Sequence, residues 1–246
     1  KLNDALVEEK IKSICENINR DGLYRYDPRD IDDFVGNVHN TTFRKLANIL
    51  LQLGGVINPY FIRKLISAKK RVFPTTYTFL AESQFCEQDS LPILDGQGLM
   101  EECLKRYYQK DGFWPFKANH TFFPIRREDA PSMPLYMLCR CNNLLVRMGI
   151  ALLKEDWIQI AKQSADYVFT HHSITHYSDG TESISYYYNS DEFTINVNAE
   201  LIDWLSQLTV YTEDSSYIFH IEKILLSILR EQDVDGAWNY FGRETM

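Results

Sequence analysis

The stretch QDVDGAWNY, residues 232–240, places an Asp-Gly turn between a helix-like segment and an aromatic side chain. Asp-Gly pairs also occur at Asp21-Gly22, Asp111-Gly112 and Asp179-Gly180. Glycine adopts the left-handed conformation that ends a helix at no steric cost. We therefore interpret the chain as unevenly spaced repeats of an amphipathic helix, an Asp-Gly turn, a loop and a more apolar helix.

Length, charge and composition limit the classes of protein to which this chain can belong. Its 246 residues are enough to bury a substantial core, and we expect a single domain over 1–246. The net charge of −8 argues against a nucleic-acid-binding protein, which needs a basic face. No apolar run approaches the ~20 residues of a transmembrane helix, and no secretory signal is visible. We expect a cytoplasmic protein whose five cysteines are buried, reduced thiols.

Apolar side chains recur with a helical period along most of the chain. The clearest segments are 4–18, 40–51, 98–109, 135–150, 157–168, 194–209 and 214–228. Residues 135–150 carry few charges, so we expect this helix to be buried on most sides. Residues 75–79 fit a strand or a helix, and we favour a helix because the neighbouring segments are helical. Besides these residues, only 182–188 has a strand-like period.

The simplest packing of these segments places the apolar helices in an inner ring and the amphipathic helices outside it. We therefore predict an all-α protein with an α/α toroid, as an incomplete or open barrel of helical hairpins. Only residues 239–246 follow the last Asp-Gly turn. We therefore expect either that the ring is open at this point, or that a partner domain, a partner subunit or a missing segment completes the toroid.

Two motifs carry a resemblance to known families. Gln232, Asp235, Gly236 and Trp238 match the Gln-x-x-Asp-Gly-x-Trp repeat of the terpenoid cyclase and protein prenyltransferase superfamily. Residues 109–114 match this repeat with one residue missing. The resemblance implies the toroid. Related Asp-Gly-x-Trp turns also occur in α/α-barrel proteins that act on polysaccharides.

A second motif, Asp30-Ile31-Asp32-Asp33, resembles the Asp-x-Asp-Asp motif of class II terpene cyclases. The resemblance implies that Asp32 is the general acid that protonates an alkene or epoxide, with Asp30 and Asp33 tuning it. Crowded carboxylates do not all ionise readily, so one of them keeps its proton to higher pH. Solvated loop carboxylates are the alternative interpretation.

In a toroid, the loops that lead to the inner helices meet at one end of the cavity, where helix N-termini present free N–H groups. Polar and aromatic side chains near those loops are therefore pocket candidates. They are His39, Asn40, Trp114, Arg126, Arg127, Tyr186, Tyr187, Tyr188, Asn196, Asn198, Glu200 and Trp238.

Some of these candidates have a specific chemistry as well as a structural alternative. His39 can form an acid–base couple with Asp33, or cap a helix. Arg126 and Arg127 can hold a carboxylate or diphosphate, or form a surface charge pair. The three tyrosines can stack on sugars or stabilise a carbocation, or alternate between core and surface. The two asparagines line the cavity together only if their helix begins after them.

Three histidines, His171, His172 and His176, are close enough in sequence to suggest a metal site. However, residues 173–175 resemble a loop, and no acidic ligand has a suitable spacing. We therefore predict no metal site and no cofactor, except Mg²⁺ if the substrate is a diphosphate.

Three functions are consistent with the sequence. The leading hypothesis is an enzyme that resembles class II terpene cyclases, cyclising an isoprenoid by protonation in an aromatic cavity. The second is a carbohydrate-active α/α-barrel protein, such as a uronide lyase, epimerase or glycoside hydrolase. The third is a non-catalytic binding or scaffold module, which should present an exposed apolar patch.

Overall fold

The computed structural model describes residues 73–86, 94–115, 133–188, 190 and 193–238, together with residues 9, 12, 13, 16 and 49. The chain forms two compact units, 1–76 with 118–124 and 77–117 with 125–246. Almost all described residues belong to the second unit. The single domain expected over 1–246 stays a prediction.

Helices dominate the described part of the chain, which also contains one β-hairpin. The elements are α1 (Pro74–Cys86), α2 (Gly96–Tyr107), α3 (Leu135–Ala151), α4 (Glu155–His171), β1 (His172–His176), β2 (Glu182–Tyr188), α5 (Ile195–Thr212), the 3₁₀ turn Ser215–Tyr217 and α6 (Ile218–Arg230). The mostly helical content agrees with the all-α prediction, and residues 75–79 are helical as expected. The toroid itself stays a prediction.

Helix α3 lies at the centre of the described core and packs against both α4 and α5. Twelve of its 17 residues are buried, which confirms the expectation for an apolar helix with few charges. Helix α4 contributes Trp157 and Ile158 to this core, and α5 contributes Leu201 and Trp204. At Gly149 of α3, an added Cβ would lie 2.8 Å from Ile158 Cγ1, so the two helices approach closely. No helix of the described ranges is both long and apolar enough to cross a membrane.

The β-hairpin between α4 and α5 corrects two expectations. Strands β1 and β2 pair antiparallel, with His176 opposite Glu182 and Ile174 opposite Ile184. The loop expected at residues 173–175 is therefore wrong, because these residues belong to β1. The turn at Asp179-Gly180 joins two strands rather than two helices, so the helix–turn–helix repeat does not hold there.

The Asp-Gly pairs form tight hydrogen-bonded turns. At Asp179-Gly180, Tyr177 N donates to Thr181 O over 3.0 Å and Gly180 N donates to Tyr177 O over 3.0 Å. The same two bonds form around Asp235-Gly236, where the glycine also has a positive φ of 86°. This geometry is a type I turn followed by a left-handed residue, which favours glycine.

The Asp111-Gly112 turn is closed by a bond of the same span, from Gln109 N to Phe113 O, but its inner bond runs from Phe113 N to Lys110 O, one residue later than in the other two turns. Both of its central residues have positive φ, at 59° and 76°, as in a type I′ turn. The missing residue between Gln109 and Asp111 thus corresponds to a different turn type. The pair Asp21-Gly22 lies outside the described residues.

Candidate functional site

Several of the predicted site residues lie outside the described part of the chain. They are Asp30, Asp32, Asp33, His39, Asn40, Arg126 and Arg127. The general acid and the anion-binding arginine pair of the cyclase hypothesis therefore stay predictions.

Two of the predicted pocket residues are core residues. The Trp114 side chain is fully buried, and its Nε1 donates a hydrogen bond to Ser164 Oγ of α4 over 2.8 Å. Asn198 is 1% exposed, and its amide bonds to the backbone of Ile184 and Thr194. These contacts favour structural roles for both residues.

Trp238 is 48% exposed, and its Nε1 donates to Ile228 O over 3.1 Å.

The tyrosines of β2 alternate in burial, as expected of a strand. Tyr187 is buried, whereas Tyr186 and Tyr188 are partly exposed. Because α5 begins at Ile195, Asn196 and Asn198 both lie inside the helix and point in different directions. Asn196 is exposed and Asn198 is buried, so the two amides do not line one cavity. Glu200 instead pairs with Arg140 of α3, over 3.4 Å.

The three clustered histidines have three different environments. The His171 ring stacks on Tyr167 with centroids 4.0 Å apart, and its Nδ1 lies 3.0 Å from Tyr167 O. The ring of His172 is buried against Ser185, and His176 pairs with Glu182. Within the described ranges, no three His, Cys, Asp or Glu side chains are placed to hold a metal ion.

A buried carboxylate surrounded by three basic side chains is the most distinctive arrangement in the described residues. Glu182 begins β2, and its side chain is only 2% exposed. Its Oε1 lies 2.7 Å from Lys223 Nζ and 3.1 Å from His176 Nδ1, and its Oε2 lies 2.9 Å from His220 Nδ1. We call these four residues the Glu182 cluster. It joins the hairpin to α6, which supplies His220 and Lys223.

The carboxylate determines which nitrogen of His220 carries a proton. A carboxylate oxygen accepts the hydrogen bond from the His220 ring, so Nδ1 of His220 is the protonated nitrogen. In the neutral ring, Nε2 then keeps its lone pair and can accept a proton. Burial raises the pKa of the Glu182 carboxyl, but hydrogen bonds from Lys223 and His220 outweigh burial and lower that pKa overall.

Packing restricts the His220 ring from two further sides. The ring of Phe169, from α4, stacks on the imidazole with centroids 4.3 Å apart. Phe219 meets the same imidazole edge-on, with centroids 5.8 Å apart. The His220 side chain is 28% exposed, so the oriented imidazole still reaches solvent. These contacts hold the imidazole in one orientation.

A second set of contacts holds the hairpin turn against the end of α6. Arg230 Nη1 donates to Asp179 Oδ2 and to Thr181 Oγ1, both over 3.0 Å. The pKa of the Asp179 carboxyl falls to about 2, chiefly because it accepts hydrogen bonds from Thr181 and from Arg230. The guanidinium also lies 4.1 Å from the centre of the Tyr177 ring. The hairpin is thus anchored on both sides of Glu182.

Sequence reasoning missed the Glu182 cluster because its members lie far apart in the chain. Glu182 and His220 are 38 residues apart. One signal was present: His220 and Lys223 are three residues apart on a helix, so they share a face. Nothing in the sequence indicates that a strand supplies their carboxylate.

No family model, curated protein or solved structure matches the chain.

Proposed function

We propose that this protein is an acid–base enzyme that acts on a saccharide bearing a carboxylate, with His220 as the proton-transfer group. The hydrogen bond from His220 Nδ1 to the buried Glu182 carboxylate supports this proposal. Such a pair fixes the histidine tautomer and stabilises the imidazolium that forms when Nε2 takes up a proton. Glu182 and Phe169 are positioning residues in this scheme.

The reaction that best suits this arrangement is removal of the proton next to the carboxylate of a uronide. His220 Nε2 takes the proton from that carbon, and the electron pair moves into the substrate carboxylate as an enolate. Lys223, which pairs with the same carboxylate, provides positive charge nearby. In a lyase, the bond from the adjacent carbon to the leaving oxygen breaks, and the His220 imidazolium gives its proton to that oxygen. In an epimerase, water protonates the opposite face of the same carbon, and His220 returns its proton to solvent.

Glycoside hydrolysis suits the Glu182 cluster less well. It normally uses two carboxyl groups about 5–9.5 Å apart, one of which keeps its proton through a raised pKa. The Glu182 cluster contains one carboxyl group, and its pKa is lowered. This carboxylate is suited to orienting a base rather than to donating a proton.

Isoprenoid cyclisation rests on Asp30, Asp32 and Asp33 and stays a separate proposal. Its test is product formation from polyprenyl substrates by wild type and by Asp32→Asn. Equal turnover by the two proteins removes Asp32 as the acid. A cytoplasmic location is also a proposal, supported by the buried, reduced thiols of Cys139 and Cys141.

Hydrogen–deuterium exchange tests the proton-transfer proposal whichever product the reaction gives. The protein is incubated in D₂O with a panel of polyuronides, and deuterium at the carbon next to the carboxylate is measured by NMR and mass spectrometry. We expect incorporation or an unsaturated product with wild type, and at least a ~100-fold loss in His220→Gln. The matched control is His171→Gln, an exposed histidine outside the cluster.

Two results would count against the proposal. Wild type that neither exchanges nor cleaves any of the polyuronides removes the substrate class. Equal activity in wild type and His220→Gln removes His220 as the base.

A further inference from the structure

We draw no further inference here: the strongest candidate, the exposed apolar side of α6 formed by Ile218, Phe219, Leu225, Leu226 and Leu229, carries none because nothing in the described part of the chain shows what covers it.

Discussion

The side chain of Asn198 forms both hydrogen bonds of the Ile184 backbone. Its Oδ1 accepts from Ile184 N over 2.9 Å, and its Nδ2 donates to Ile184 O over 3.0 Å. The amide of α5 thus takes the place of a neighbouring strand on the free edge of β2. Because Glu182 lies two residues earlier on β2, these bonds help to hold the carboxylate in place.

Replacing Asn198 by Asp should destabilise the fold strongly. Nδ2 donates to two carbonyl oxygens, those of Ile184 and Thr194, and a carboxylate oxygen cannot donate. We expect a loss of about 3 kcal/mol in the free energy of unfolding, measured with urea at neutral pH. Asn196→Asp is the control on the same helix turn and should cost less than about 0.5 kcal/mol, since its side chain is exposed. Similar losses in both variants would contradict this role of Asn198.

Two glycines that both have a positive φ should respond very differently to alanine. Both Gly112 and Gly180 have positive φ, at 76° and 83°. A Cβ on Gly112 would lie 2.1 Å from Gln163 O of α4, whereas a Cβ on Gly180 would have no atom within 4 Å. We expect Gly180→Ala to cost about 1–2 kcal/mol from backbone strain alone. Gly112→Ala should cost about 4 kcal/mol or more, seen as a much lower Tm.

His172 should make the protein less stable in mild acid. Burial lowers the pKa of its ring from 6.5 to about 4, although its bond to Ser185 O opposes that shift. Between these pH values the unfolded chain binds a proton that the folded chain does not, so stability rises with pH across this window. The contribution lost between pH 7 and pH 4 is about 3 kcal/mol.

Urea unfolding from pH 4 to pH 7 checks the prediction for His172. The His172→Gln variant should lack this part of the pH dependence, and its unfolding free energy should vary less with pH than that of wild type. The exposed neighbour His171 supplies the comparison: His171→Gln keeps the buried His172 ring, so the unfolding free energy should keep most of its wild-type dependence on pH. If the unfolding free energies of wild type and His172→Gln have the same slope against pH, a buried, neutral His172 ring is ruled out.

Glu182 should stabilise the fold at neutral pH and lose that effect in acid. Its folded pKa is lowered, so its contribution is present above the ordinary carboxyl pKa and disappears as the pH falls through the folded value. We expect Glu182→Gln to cost about 3 kcal/mol at pH 7, because Lys223 and His220 lose their carboxylate. Glu222→Gln, on the exposed side of α6, should be close to neutral.

The pH dependence distinguishes charge from packing at Glu182. If the ion pairs stabilise the fold, the difference in unfolding free energy between wild type and Glu182→Gln shrinks as the pH falls below the ordinary carboxyl range. A difference that is constant with pH would instead assign the loss to side-chain packing.

Local sequence patterns predicted much of the helical structure. The apolar period at 135–150 corresponds to α3 at Leu135–Ala151, because burying one side of a helix requires apolar side chains three and four residues apart. The turn at Gly180 was predictable because a positive φ favours glycine. Both signals are contained within a few consecutive residues.

Strand pairing and the hydrogen bonds of core side chains depend on contacts between residues that are distant in the sequence. Residues 173–175 form a strand because β2 pairs with them, and propensity alone did not indicate this partner. Trp114 and Asn198 are core residues because Ser164 and Ile184 supply their hydrogen-bond partners from 50 and 14 residues away.

The same distinction holds for the candidate site. The helical period predicted at 214–228 places His220 and Lys223, three residues apart, on one face of an amphipathic helix. Only the tertiary structure placed Glu182 between them and buried it, 38 residues from His220 in the chain. A carboxylate is buried at low cost only where basic side chains from another element surround it. Local sequence does not specify which distant side chains meet in this way.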